Sequence, residues 1–170
     1  LLKTGMPTFD TDYGMSPGHV IIVGARPNVG KTSMVWGWHI AMGKRGIPTG
    51  VISVDDDAGE YGVRGLGAVS EINPSRLWNQ RLSPADFDRC VRGIDRWGDI
   101  PIRFKHVRGK ALDGVLGTMQ RMVRVHGVKM ISVDFLTAIR GRRAKDARER
   151  HNETLSELAA MAEILGVPLV

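Results

Sequence analysis

The sequence has 170 residues, 42% hydrophobic and 25% charged, with a formal net charge of +6. That composition fits a globular domain with its own core and excludes a fibrous or low-complexity chain. No apolar run reaches the ~18 residues a membrane helix needs, and no charged-then-apolar leader is visible.

A single cysteine, Cys90, excludes an internal disulfide and fits a reducing compartment. None of the histidines (His19, His39, His106, His126, His151) has a His or Cys partner at metal-ligand spacing, so no zinc site is expected. The basic balance favours polyanionic partners, nucleic acid above all, although many basic domains are simply basic.

In chain order, Val20-Ile21-Ile22-Val23 reads as a buried strand, followed by a helix over residues 34–44 that ends near Gly46. Residues 50–54 form the next strand. Residues 57–71 read as helical, although four glycines weaken the pattern. Ser83-Pro84 opens a helix, with Ser as N-cap and Asp86 near its positive end. Its apolar positions Phe87, Cys90, Val91 and Ile94 recur at helical spacing, which predicts a core-facing stripe and a core role for Cys90. A strand at 101–104, an amphipathic helix through Leu112, Val115, Met119 and Met122, a strand at 130–133, a helix at 148–165 and a strand at 167–170 follow. Helices alternating with short apolar strands predict an α/β fold with a mostly parallel sheet flanked by helices. The chain ends inside a predicted strand, so it is expected to be one domain, residues 1–170, of a longer protein.

Four segments carry chemistry. The strand at 20–23 runs into Gly24-Ala25-Arg26-Pro27-Asn28-Val29-Gly30-Lys31-Thr32, a phosphate-binding loop with Ala25 in the usual first glycine position. Gly30 lets the backbone close around phosphate oxygens, while successive N–H groups and the next helix's N-terminus supply positive potential. In such a loop Lys31 reaches the β- and γ-phosphates and the Thr32 hydroxyl ligates Mg²⁺. Ala25, Arg26, Pro27, Asn28, Val29, Gly30, Lys31, Thr32 and Ser33 are the candidate nucleotide-binding residues, with ATP and Mg²⁺ as cofactors.

The strand ending in Asp134 places a carboxylate to support the metal's water shell, from a strand expected beside that of the loop. The strand ending before Asp55 offers a carboxylate to orient the attacking water, so Lys31 and Asp55 are the catalytic candidates. Asp56 and Asp57 read better as caps of the helix that follows. Finally, Arg140-Gly141-Arg142-Arg143-Ala144-Lys145 is either a solvated charge run or a loop that tracks a phosphate backbone. Arg140, Arg142, Arg143 and Lys145 are the candidate DNA contacts.

Together these residues resemble the C-terminal ATPase domain of replicative hexameric DNA helicases of the DnaB type, on a RecA-like fold. The stretch Thr4-Gly5-Met6-Pro7-Thr8-Phe9-Asp10, followed by Gly14, Pro17 and Gly18, is similar to the family's approach to the loop. The loop from Ala25 to Thr32 is close to the family's own variant, which begins Ala-Arg-Pro. Ile52-Ser53-Val54-Asp55 stands where the family has Phe-Ser-Leu-Glu, and Val133-Asp134-Phe135-Leu136-Thr137 where it has Asp-Tyr-Leu-Gln. The stretch 153–168 is similar to the helix and strand that follow in the family.

Three residues depart from the pattern. Asp55 is one methylene shorter than the catalytic Glu, which implies slower hydrolysis or a repositioned water. Thr137 replaces the Gln after the strand, and Ala159 a helix Lys. The resemblance implies an ATP-driven helicase motor that moves on single-stranded DNA during replication, assembled as a homo-oligomeric, hexameric ring in the cytoplasm of a bacterial or phage-infected cell. Two alternatives stay open: a RecA/RadA- or KaiC-like ATPase that does not unwind DNA, and a non-catalytic ATP-binding ring or loader module.

Overall fold

The computed structural model describes residues 1–26, 29–54, 57–107, 111–134, 138–139 and 147–170. The elements run α1 (Pro7–Asp12), α2 (Lys31–Gly43), β1 (Thr49–Ser53), α3 (Ala58–Ser70), α4 (Pro74–Trp78), α5 (Pro84–Gly98), β2 (Ile102–His106), α6 (Leu112–His126), β3 (Met130–Asp134) and α7 (Ala147–Leu165). The strands pair in parallel in the order β2-β1-β3, with Thr49 opposite both Ile102 and Met130. The two short helices α1 and α4 are too brief for apolar periodicity to reveal them.

Beyond β3 the sheet continues through main-chain pairing of short segments. Ile131 N donates to Pro168 O at 3.1 Å and Val170 N to Ile131 O at 2.9 Å. On the far side Leu169 N donates to His19 O at 2.9 Å and Ile21 N to Leu169 O at 2.8 Å. The strands expected at 20–23 and 167–170 are thus represented by parallel bridges at Val20 and Leu169. This corrects one expectation: the strand of Asp134 does not lie beside the segment leading into the phosphate loop, because residues 167–170 lie between them. A parallel connection needs a helical crossover, and a crossover has the length to skip places in the sheet. Here α2 makes that crossing, from the outer position at residue 20 to β1, and so passes over β3.

Strand alternation divides the core between two faces. Ile52 and Ile131 pack with Leu112, Val115, Met119 and Met122 of α6 and Leu158 and Ala162 of α7. Val51 packs with Trp36 and Ile40 of α2 and Tyr61 of α3, and Met130 packs with Trp38 and Met42. Every residue of β1 is buried, as a central parallel strand covered on both faces requires.

Helix α5 departs from its predicted orientation. Phe87, Val91 and Ile94 are 60%, 49% and 55% exposed, and Cys90 is half-buried at the edge of that stripe rather than in the core. The face that packs carries Asp86, Gly93 and Trp97 instead. Close approach of α5 to α3 decides this. A Cβ on Gly93 would sit 3.1 Å from the Cβ of Ser70, and a Cβ on Gly65 of α3 would sit 2.3 Å from the Trp97 ring. Two glycines let the helix backbones and one indole interdigitate, and the apolar stripe is left on the other side. Ser83 and Asp86 form a reciprocal capping box at the start of α5. Asp86 also pairs with Arg76 of α4 and Arg89. The Arg89 guanidinium, with the Ser83 hydrogen bonds, holds its carboxyl down at about 2.

Candidate nucleotide-binding site

The loop that enters α2 is open to solvent: Gly24, Ala25, Arg26, Val29, Gly30 and Ser33 are exposed, and Pro27 and Asn28 lie outside the described residues. Gly30 is the N-cap of α2 at φ 103°, ψ 23°. That left-handed conformation is what demands glycine, since an added Cβ would meet nothing within 4 Å. The helix begins at Lys31, three residues before the apolar periodicity that predicted Met34 as its start. Its first turn therefore follows the loop directly, and the N–H groups that a first turn leaves unpaired stand where an anion would be held. Lys31 Nζ donates to the Ala25 carbonyl at 3.3 Å, so the ammonium is folded back over the loop.

Alternation along β3 puts Met130, Ser132 and Asp134 on the face that α2 crosses. Two polar pairs result. Thr32 Oγ1 donates to Asp134 Oδ2 at 2.9 Å, joining residues 102 positions apart. Seven residues further along α2, His39 Nε2 lies 2.7 Å from Ser132 Oγ, fully buried. Burial pushes the His39 imidazole down from its usual 6.5 to about 3, so it is neutral at physiological pH. A second hydroxyl reaches the Asp134 carboxylate: Tyr61 Oη of α3 donates to Asp134 Oδ2 at 2.6 Å. Lys31, Thr32, Trp36, Tyr61, Ser132 and Asp134 all line one cavity of about 130 Å³.

Sequence reasoning missed Tyr61, His39 and Ser132. No local pattern links them to the loop, and only the crossing of α2 over β3 brings them there. Asp57 takes the capping role expected of it: its Oδ1 accepts from Gly59 N at 2.7 Å and Glu60 N at 3.1 Å. Asp55 and Asp56, Thr137, and the basic residues Arg140, Arg142, Arg143 and Lys145 lie outside the described residues. Ala159 is half-buried on α7.

The donor set suits one kind of cation. Mg²⁺ prefers hard oxygen ligands and keeps most of its shell as water and substrate phosphate, taking one or two oxygens from protein. A threonine hydroxyl hydrogen-bonded to a strand-end carboxylate beside a phosphate-binding helix N-terminus fits that need. Among the described residues no group of three or more His, Cys, Asp or Glu is placed to hold a metal without such help. No helix among them is long and apolar enough to cross a membrane.

Comparison with known proteins gives concordant results. The family model described as DnaB-like helicase C-terminal domain matches residues 2–170. The chain is 28% identical over 177 residues to the replicative DNA helicase DnaB of Geobacillus stearothermophilus, covering 98% of this chain and 38% of that protein. It is likewise 28% identical over 177 residues to the replicative DNA helicase DnaC of Bacillus subtilis, with the same coverage of 98% and 38%. The chain thus spans less than two fifths of the length of these relatives. Among solved structures, a DnaB-like replicative helicase described with its interactions with primase superposes with a TM-score of 0.90 at 18% identity, over 99% of this chain and 42% of that one. A second solved structure, described as an ATPase domain, gives 0.88 at 19% identity, over 99% and 61%. A KaiC-like protein of Pyrococcus horikoshii gives 0.67 at 18%, over 99% and 69%. The fold is the RecA-like α/β fold of these ATPase domains.

Proposed function

The chain belongs to the DnaB-like helicase C-terminal domain family, and we propose that it is the ATP-driven motor of a replicative DNA helicase. The observation that carries the site reading is the hydrogen bond from Thr32 to Asp134. It joins the last position of the phosphate loop motif to the end of β3, the two places from which this chemistry needs oxygen donors.

In this reading ATP lies over the loop from Ala25 to Ser33, with its phosphates on the N-terminus of α2. Lys31 leaves the Ala25 carbonyl and moves onto the β- and γ-phosphates. Mg²⁺, when bound, would neutralise charge that develops on those phosphates. Thr32 offers its hydroxyl to the cation and Asp134 accepts hydrogen bonds from the cation's water shell. Asp55 orients the attacking water and accepts its proton. The basic residues Arg140, Arg142, Arg143 and Lys145 contact backbone phosphates of single-stranded DNA without reading bases. The working assembly is a homo-oligomeric, hexameric ring with ATP between subunits.

Lys31→Ala tests the reading. It should abolish nucleotide binding or turnover, and with it strand displacement. Wild-type nucleotide affinity in this variant would remove the loop from the mechanism. A second reading, a ring module that binds ATP without hydrolysing it, rests on Asp55 standing where the resembling family has Glu. A wild-type protein that binds ATP, lacks ATPase activity with or without DNA, and still forms rings would favour that module.

A further inference from the structure

The two hydroxyls on Asp134 come from different elements, and only Thr32 belongs to the phosphate loop motif. We propose that Tyr61 is a positioning residue for the metal site: its hydroxyl holds the Asp134 carboxylate in the orientation that receives Mg²⁺–ATP. The inference rests on the reading of Asp134 as the metal-supporting carboxylate.

A carboxylate's terminal torsion is broad and roughly two-fold, so an Asp at a strand end holds one orientation only if something fixes it. Here two donors converge on the same oxygen. Tyr61 Oη lies 2.6 Å from Asp134 Oδ2, within the short range of charge-assisted O–H···O⁻ bonds, and Thr32 Oγ1 lies 2.9 Å from it. With Oδ2 engaged twice, Oδ1 is the oxygen left, among the described residues, for water on a cation. Hydrogen bonds of this kind to metal-supporting groups fix their direction and tune their basicity.

Tyr61 is itself held rigidly. Its side chain is 3% exposed. The ring stands edge-on to Trp36 at 5.2 Å between centroids and packs on Phe104 at 4.7 Å. The α3 backbone that carries it starts at the Asp57 cap, four residues earlier. Trp36 lies on α2, four residues after Thr32, so the two hydroxyls that meet on Asp134 are braced against one another through the Trp36 ring. Thr32 must also serve the cation when Mg²⁺–ATP arrives. Tyr61 lies outside the phosphate loop motif, so its bond keeps the carboxylate in place while Thr32 adjusts.

The experiment measures the affinity of the purified protein for a fluorescent, non-hydrolysable ATP analogue, once in EDTA and once in saturating Mg²⁺. The ratio is the factor by which the metal tightens nucleotide binding. Tyr61→Phe removes one oxygen and keeps the ring, and Tyr61→Met gives a second hydroxyl-free side chain if the Phe variant folds poorly. Asp134→Asn and Phe104→Leu serve as comparisons, the latter disturbing the packing while leaving the hydroxyl. The expected result is a metal factor about tenfold smaller for Tyr61→Phe, with the EDTA affinity unchanged. Asp134→Asn should reduce the factor as well, and Phe104→Leu should reduce it less than Tyr61→Phe does. A normal factor in Tyr61→Phe beside a reduced one in Asp134→Asn overturns the role of Tyr61 and leaves the metal site standing. A normal factor in Asp134→Asn overturns the metal site and the role of Tyr61 with it. A loss in Phe104→Leu equal to that in Tyr61→Phe reduces the effect to packing and overturns the proposal.

Discussion

His39 of α2 and Ser132 of β3 share a hydrogen bond of 2.7 Å in the interior, two residues along the strand from the carboxylate that Thr32 engages. The pair replaces apolar packing at the seam between helix and sheet. It makes this seam sensitive to acid.

The folded pKa of His39, about 3, lies below the unfolded value of 6.5. Above pH 6.5 neither state binds the proton and stability is unaffected. As pH falls from 6.5 toward 3 the unfolded chain takes up a proton that the folded one refuses, and stability is lost. The slope approaches roughly 1.4 kcal/mol per pH unit. Asp86 loses its contribution only below 3.8, so it does not confuse the window between pH 7 and 5. Urea melts across that window should show the slope in the wild type. His39→Gln, which keeps a partner for Ser132 and does not titrate, should flatten it. An equal slope in both proteins would remove His39 as its source.

The acids after β1 should separate by function. Asp55→Asn is expected to bind ATP normally while hydrolysis falls by roughly 10²–10⁴, the usual worth of a positioned base. Asp57→Asn should stay close to wild type in both respects, because Asn caps a helix as well as Asp does. Single-turnover ATPase assays beside binding titrations make the distinction. Normal turnover in Asp55→Asn, with loss in Asp56→Asn or Glu60→Gln, would show that a different carboxylate activates the water.

Gly93→Ala tests the contact that turned α5. Alanine favours a helix over glycine by about 1 kcal/mol, so propensity alone predicts a gain. The added methyl would lie 1.8 Å from Ser70 Oγ and 3.1 Å from Ser70 Cβ. The hydroxyl can rotate away but the Cβ cannot, and overpacking of this kind costs about 1–3 kcal/mol. The variant should melt lower by roughly 2–4 °C, and adding Ser70→Gly should recover part of the loss. An unchanged or higher melting temperature for Gly93→Ala would mean that the two helices have slack there.

If the basic run after β3 holds single-stranded DNA, replacing Arg140, Arg142 and Arg143 with Ala should lower affinity evenly across sequences. The slope of log affinity against log salt should flatten by up to about 2, the release expected from three phosphates on a single strand. DNA-stimulated ATPase should fall while basal ATP binding persists. Matching slopes and affinities in wild type and variant would mark the run as a solvated surface.

What the sequence reveals follows from how local each constraint is. Phosphate binding needs contiguous backbone, so the loop from Ala25 to Thr32 and the helix after it can be read as one unit. Thr32 and Asp134 can be picked out separately, each from its own segment. Their meeting depends on strand order, which no local pattern encodes, and the place of residues 167–170 between the two stems escapes a sequence reading for that reason. Tyr61 is invisible because its partner lies 73 residues away and its own helix is interrupted by glycines. The stripe Phe87, Val91 and Ile94 misleads because periodicity reports which face is apolar, whereas the fit of Gly93 to Ser70 and of Trp97 to Gly65 decides which face packs.

The segment 167–170 also acts as a spacer gauge. Its main chain bonds to Ile131 and Val133 on one edge and to His19 and Ile21 on the other, so one strand width separates the stem of the phosphate loop from the stem of Asp134. That width is a property of the peptide backbone, the same whatever side chains the segment carries. Substitutions at Val167 or Leu169 should therefore act on the core's stability while the gap between Lys31 and Asp134 keeps its calibre. Losing the pairing itself would leave the two halves of the site without a common measure.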